Sequence, residues 1–492
     1  MGRDLEQQSF TREDRQRYRD AVKRDLAVLR RLLAEDRFER GRKYLGVEVE
    51  FYVVDDAGVP MMANESLLAR LESHDFQTEL AQFNIEFNLA PHKLAGAVFD
   101  EIAEELETSM RHAQRQAREL DAHVAMIGIL PTVDDLHVTI QSLSANHRYH
   151  LLNQQILEAR GEDVHVDIAG EERLTLHVPS IALEAAATSV QLHLQVSAAG
   201  FARTWNAAQA IAAAQVAMAA NSPFLLGKQL WHETRIALFE QIIDTRTEEL
   251  TAQGVRPRVW FGDGWIGDVV ELFEENVRYF PALLPIVDDE DPEQVLADGG
   301  VPHLHELALH NGTIWRWNRP VYGVARGKPH LRVENRVLPA GPTVADTVAN
   351  AAFYAGLVRG VADLDPPIHT RLPFALAAES FRRAATDGIE ATLWWPERGE
   401  VPARRLVLDV LLPLAHEGLD RWKVDPRDRD HYLGIIEERA RRGRNGASWQ
   451  IEAYRRLREH HGLDRRAALT MMTRHYMEGM RANHPVHTWR LP

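Results

Sequence analysis

The run Tyr44–Val54, YLGVEVEFYVV, decides the fold. Successive side chains of an extended strand point to opposite faces. Val47, Val49, Phe51 and Val53 therefore share one side, and Glu48 and Glu50 project together from the other. A strand with one apolar and one charged face packs on helices with the first and borders solvent or a cleft with the second. The same alternation returns at Asn84 to Leu89, with Glu86 and Asn88 on the polar side. It returns again at Thr188 to Val196, where Gln191, His193 and Gln195 oppose Val190, Leu192, Leu194 and Val196. A fourth copy is His330 to Leu338, where Arg332, Glu334 and Arg336 oppose Leu331, Val333, Asn335 and Val337. Shorter strand-like runs are Val124 to Ile129 and Gly312 to Tyr322.

Helical spacing fills the intervals. Residues 11–36 place Tyr18, Val22, Leu26, Leu29 and Leu33 on one stripe, behind a capping-box pattern at Thr11 and Asp14. Helices are predicted over Leu94 to His123 and Gln229 to Asp244, and over most of 344–492, which is rich in Arg. Residues 131–180 read as irregular and 251–305 as loop-rich. No charge occurs from Thr204 to Gly227. This stretch is long enough to cross a bilayer, but Asn206, Gln209, Gln215 and Asn221 would sit in hydrocarbon, so it is read as a helix buried in protein. The class is α+β: an antiparallel sheet with helices on one face and a polar cleft on the other.

Composition excludes several functions. The 492 residues carry 57 Lys and Arg against 72 Asp and Glu, a formal charge of -15. That field disfavours nucleic acid and anionic membrane as partners. The absence of cysteine removes thiol nucleophiles, iron–sulfur clusters and Cys-ligated zinc. The charged N-terminus has no apolar leader, so the expected location is the cytoplasm. Gly262 to Gly267 fits a GxGxxG pattern without the flanking βαβ unit, and is read as a loop entering a helix near Val269. Gly227-Lys228 lacks the rest of a P-loop, and no serine sits in a G-x-S-x-G elbow.

Taken singly, Glu48, Glu50, Glu86 and Glu334 would be solvated surface groups, and His193 a hydrogen-bonded core or surface histidine. Taken together, four strands present carboxylates, an imidazole and guanidinium groups on one side. Facing carboxylates repel unless protonated or bridged by cations. Hard divalent ions such as Mg²⁺ prefer carboxylate oxygen and often carry phosphates. Arg332 and Arg336 flank Glu334 and could clamp a phosphate or carboxylate. This set suits metal-assisted phosphoryl chemistry better than a metal-independent acid–base pair of the glycosidase kind.

Six segments occur in an order that resembles glutamate–cysteine ligase family 2, the carboxylate–amine ligases. They are GVEVEF (46–51), NIEFNLAP (84–91), TSVQLHLQV (188–196), ANSPF (220–224), HETRIALFEQIIDTR (232–246) and HLRVENRVLPAGPT (330–343). The resemblance spans about residues 40–365. It implies a curved antiparallel sheet like that of glutamine synthetase and the guanido kinases, with helices on one face and ATP and metals in the concavity. It implies a ligase domain over 40–370, an N-terminal helical segment over 1–39 packed on it, and a helical extension over 371–492.

The activity so implied is ATP- and Mg²⁺-dependent amide formation, in the family most often from the γ-carboxylate of glutamate and the amine of cysteine. Glu48, His193 and Glu334 are implied ligands of one Mg²⁺ near the ATP phosphates. Glu50 and Glu86, with Glu79, are implied ligands of a second. Arg336 is the implied stabiliser of the transferring phosphoryl group, and Arg235 the implied grip on the glutamate carboxylate. Arg332 and Gln191 are implied to support nucleotide or substrate. The plain alternative for Arg235 is a helix-surface salt bridge with Glu233 or Glu240. His193 continues into Leu194-Gln195-Val196 where the family commonly turns through glycine, which leaves the amine open. Other readings are a different amine acceptor, or a nucleotide-binding regulatory protein without turnover. A homo-oligomer is compatible with the extension.

Overall fold

The computed structural model describes residues 9–41 and 43–492. The first eight residues of the expected N-terminal segment, and Arg42, lie outside the described residues.

An eight-stranded sheet organises the chain. Its strands are β1 (Tyr44–Val54), β2 (Phe76–Thr78), β3 (Asn84–Asn88), β4 (His92–Lys93), β5 (His123–Ala125), β6 (Ser189–Val196), β7 (Asn318–Ala325) and β8 (Lys328–Pro339). The order is β7-β8-β6-β1-β3-β2, with β4 and β5 also pairing to β1, and every pairing is antiparallel. The sheet is curved into a half-barrel. The valines and leucines of the alternating runs are buried on one face, as their period requires.

That face is backed by the uncharged helix and by Val344–Ala362. The uncharged helix runs Phe201–Ala219 and is buried almost throughout. Its amides are not stranded. Gln215 Nε2 donates to Asn335 Oδ1 at 3.2 Å, and Asn335 Nδ2 to Asn318 Oδ1 at 2.8 Å. Asn318 Nδ2 in turn donates to Gln209 Oε1 at 2.7 Å. A chain of paired amides thus fixes helix to sheet, because each buried polar group must find a partner. Among the described residues no helix is long and apolar enough to cross a membrane.

The capping box at Thr11 forms, and the first helix covers Arg12–Ala34. It packs on a helix at His305–Gly312, where Tyr18 donates its hydroxyl proton to the Glu306 carbonyl at 2.9 Å. Other expectations are corrected. Residues 131–180 are not wholly irregular: they hold a helix at His147–Arg160 and a hairpin at Val164–Ala169 and Arg173–Val178. The hairpin alternates regularly, Val164, Val166 and Ile168 against His165 and Asp167, then Leu174, Leu176 and Val178 against Arg173, Thr175 and His177, so period two alone makes it legible. Gly312 to Tyr322 is not one strand; Trp315–Arg316 pairs in parallel with Val259–Trp260 before β7 begins. The region beyond 344 is mostly helical but includes a hairpin at Thr392–Trp395 and Gly399–Pro402.

The C-terminal helices are fastened by buried polar bonds. Arg439 Nη2 meets Asp346 Oδ1 at 2.8 Å, with both side chains fully enclosed. Tyr476 donates to the Met126 carbonyl at 2.8 Å and receives Asn221 Nδ2 at 2.8 Å. Asn221 also donates to the Ala340 carbonyl at 2.7 Å, which ties the ANSPF segment to the end of β8.

Candidate active site

Strand register gathers the polar face. Glu50 lies opposite Glu86 across β1 and β3. Glu48 lies opposite Gln191 and Gly46 opposite His193 across β1 and β6. His193 lies opposite Glu334 across β6 and β8. The resulting cleft, about 390 Å³, is lined by Glu48, Glu50, Glu79, Gln191, His193, Arg319, Arg332, Glu334 and Arg336 among others. A second hollow of about 400 Å³ continues along the same face and shares Glu48, His193 and Arg332 with it. Gly46 forms part of its floor; a Cβ there would stand 3.4 Å from that of His193.

The two ends of the cleft differ electrically. At one end charges are matched. Arg319 grips Glu334 with two bonds, Nε to Oε2 at 3.0 Å and Nη2 to Oε1 at 2.9 Å. Arg336 Nη1 adds a third to Oε1 at 2.5 Å. Burial would raise the Glu334 carboxyl, but these guanidinium groups outweigh it and hold it well below the usual carboxylate range. Glu48 is likewise pushed up by burial and drawn further down by His193, whose Nε2 is 3.0 Å from Glu48 Oε1. That approach is off the line of a hydrogen bond, so both ring nitrogens of His193 are buried without a donor–acceptor partner.

At the other end carboxyls outnumber cations. Burial raises Glu50 despite bonds from the Ser189 hydroxyl at 2.8 Å and amide at 2.7 Å. Burial, then the charge of Glu50, pushes Glu79 up to about 8. Glu86 is raised well above its ordinary value by burial and by Glu79, Glu48 and Glu50. Its Oε1 accepts from Asn88 at 2.8 Å, while Oε2 is buried with no partner. One oxygen from each of Glu50, Glu79 and Glu86 lies within 4.8 Å of the others. An orphaned buried oxygen among carboxyls that resist ionisation is what a hard divalent cation would satisfy, so the residues fit Mg²⁺. Glu48, His193 and Glu334 make no such three-atom group among the described residues, because Glu334 is turned onto Arg319 and Arg336.

Gln191 joins the two ends. Its Oε1 accepts from Arg336 and its Nε2 donates to Glu50 Oε1 at 3.2 Å. Arg332 lines both hollows with a buried Nε that has no partner. Arg235 is not among the residues lining the cleft. It is buried and pairs with Glu233 at 3.1 Å, so its ion pair is interior rather than on a helix surface. Its Nη2 donates to the carbonyls of Val337 at 2.8 Å and Arg336 at 3.3 Å. These carbonyls lie where the register of β8 shifts, between Asn335 and Leu338. Arg235 thus holds the backbone that carries Arg336.

Sequence reading missed Arg319 and Glu184. Arg319 was legible in principle. Arg326 and Gly327 both have positive φ, the two-residue turn that closes a hairpin, and counting back from it sets Arg319 opposite Glu334. Glu184 sits on a short 3₁₀ turn, Ile181–Ala186, with no periodic signal. Burial, then Glu79 and Glu50, pushes it up to about 8. One wall of the cleft is apolar, built by Phe239, Ile243, Phe273, Leu284, Leu304 and Leu307.

The profile of glutamate–cysteine ligase family 2 matches residues 44–470. The match passes well beyond residue 370, into the C-terminal helices. No curated protein matches the sequence. Among solved structures, a Francisella tularensis glutamate–cysteine ligase in complex with AMP is similar over 92% of this chain and 91% of its own, at 12% identity and a TM-score of 0.55. A bifunctional glutathione synthetase from Pasteurella multocida is similar over 93% of this chain and 55% of its own, at 10% identity and a TM-score of 0.49.

Proposed function

We propose that this chain, which belongs to glutamate–cysteine ligase family 2, activates a carboxylate with ATP and joins it to an amine. The acid of the proposal is glutamate, through its γ-carboxylate, and the first amine to test is cysteine. The observation that carries the reading is the single cleft in which a carboxyl cluster suited to Mg²⁺ lies beside Arg336 and an adjoining hollow of nucleotide size.

A carboxylate is a poor acyl donor because its leaving group would be oxide. Transfer of the γ-phosphoryl group of ATP to a carboxylate oxygen, with ADP leaving, creates a leaving group. Attack of the amine nitrogen on the carbonyl carbon then forms the amide and expels inorganic phosphate, and the nitrogen's proton passes to a base. In this reading the nucleotide lies in the hollow floored by Gly46 and its phosphates reach toward Glu48, His193 and Arg332. Arg336 stabilises charge on the transferring phosphoryl oxygens, held by Glu334, Gln191 and the Arg235-bound backbone. Glu50, Glu79 and Glu86 would hold one Mg²⁺, and Glu48 with His193 would serve a second on the nucleotide side. Bound there, Mg²⁺ supplies neutralisation of phosphate and carboxylate charge.

A second reading keeps the chemistry and changes the amine. The apolar wall from Phe239 to Leu307 favours an acceptor bulkier and less polar than cysteine. The test is ADP release with Mg²⁺, ATP and glutamate against a panel of amines. Release that needs both substrates supports the proposal and names the amine. ATP binding without release for any pair would overturn it in favour of a regulatory role.

A further inference from the structure

Outside the cleft, the described residues hold one other group of side chains with metal-ligand chemistry: Glu290, His303 and His305. We infer that these three bind a borderline divalent transition metal of the zinc, nickel and copper class.

One ligand atom from each residue lies within 4.8 Å of the other two. Ligand atoms around a tetrahedral ion, at about 2.0–2.2 Å from it, stand roughly 3.3 Å apart. Glu290 Oε2 and His303 Nδ1 are 2.9 Å apart as a hydrogen bond, so an ion would take the place of the shared proton. Two imidazoles and one carboxylate select zinc-like ions and disfavour Mg²⁺ and Ca²⁺, which prefer all-oxygen sets. This separates the group from the carboxyl cluster of the cleft. His303 is exposed and His305 partly exposed, which leaves a coordination position for water.

The segments that carry the ligands are held in place independently of any ion. Glu290 Oε1 accepts the backbone N–H of His303 at 2.6 Å. Glu306 Oε1 accepts the N–H of Asp288 at 2.9 Å. Asp25 Oδ2, on the first helix, accepts the N–H of Leu307 at 2.9 Å. Tyr322 donates to the Pro302 carbonyl at 2.6 Å. A site whose backbone is already fixed loses less entropy on binding. Leu304 stands between the two histidines with φ 55 and ψ 53, fully buried, and belongs to the apolar wall of the cleft. An ion on Glu290, His303 and His305 would therefore clip the segment that forms this wall.

The experiment uses the full chain, stripped with a chelator and returned to excess Mg²⁺ so that the cleft carboxylates are occupied. Zn²⁺ binding is measured by competition with a chromophoric chelator. Natural protein is compared with the His303→Ala/His305→Ala double variant and with Glu290→Gln. Neither histidine is buried, and circular dichroism checks that both variants fold. The expected result is one more tightly bound Zn²⁺ in the natural chain than in the double variant, with binding at least about tenfold weaker in Glu290→Gln. Equal stoichiometry and affinity in all three would overturn the inference. Binding is read directly, so the outcome does not depend on turnover or on the ligase reading.

Discussion

Replacing Glu334 with Gln tests whether the cleft is held together by its charges. The carboxylate is almost fully enclosed, with 2% of its side chain exposed, and it answers Arg319 and Arg336 at once. Glu334→Gln leaves two buried guanidinium groups sharing one neutral acceptor. Removing one partner of a buried ion pair costs about 3–5 kcal/mol. Arg319 and Arg336 keep 15% and 17% exposure, and Arg336 retains Gln191, so the lower end applies, about 3 kcal/mol. Glu48→Gln is the control. Glu48 is 21% exposed and faces one histidine, so its loss should cost about 1 kcal/mol. Urea unfolding of both variants, in chelator, gives the difference. Turnover should fall about 100-fold or more in each. If Glu334→Gln unfolds within about 0.5 kcal/mol of the natural chain, the Arg319–Glu334–Arg336 arrangement does not exist as described.

Three other outcomes follow from the same geometry. Glu86→Gln should abolish Mg²⁺-dependent turnover yet leave stability in chelator unchanged or higher, because it removes a buried carboxyl with an unpartnered oxygen; a loss above about 2 kcal/mol in urea unfolding would contradict that. Glu184, raised to about 8 in the fold, stays protonated there while the unfolded chain has ionised above its ordinary value of about 4.3, so its contribution to stability declines as pH rises between those values. Glu184→Gln should therefore gain on the natural chain by on the order of 1–3 kcal/mol between pH 4 and pH 9 in chelator, and a flat difference across that range would refute the shift. Arg235→Lys keeps the charge but not the fork on Val337 and Arg336, and should lower kcat more than it raises KM for glutamate. A change in KM alone would place Arg235 on the substrate instead.

Much of this was legible in the chain. Period-two alternation gave β1, β3, β6 and β8, and with them the side of the sheet on which Glu48, Glu50, Glu86, His193, Glu334 and Arg336 lie. Sidedness follows from local geometry, so one strand at a time suffices. Pairing does not: that Glu334 is answered by Arg319 depends on hairpin register, and that Glu79 joins Glu50 and Glu86 depends on a turn between short strands. Arg235 shows the other limit. The resemblance implies a substrate contact for it, while its burial, set by residues a hundred positions away, turns it to the backbone of β8. The uncharged helix shows the converse, since the sheet's own amides, with the Phe261 carbonyl, explain why Gln209 and Gln215 are tolerated inside.

The central claim is that the cleft moves a phosphoryl group from ATP onto a carboxylate. Glutamate carrying ¹⁸O in its γ-carboxylate, incubated with Mg²⁺, ATP and the amine that supports ADP release, tests it directly. The expected result is inorganic phosphate containing one ¹⁸O per amide formed, since the bridging oxygen leaves with the phosphate. Phosphate whose added oxygen comes only from water would contradict the account.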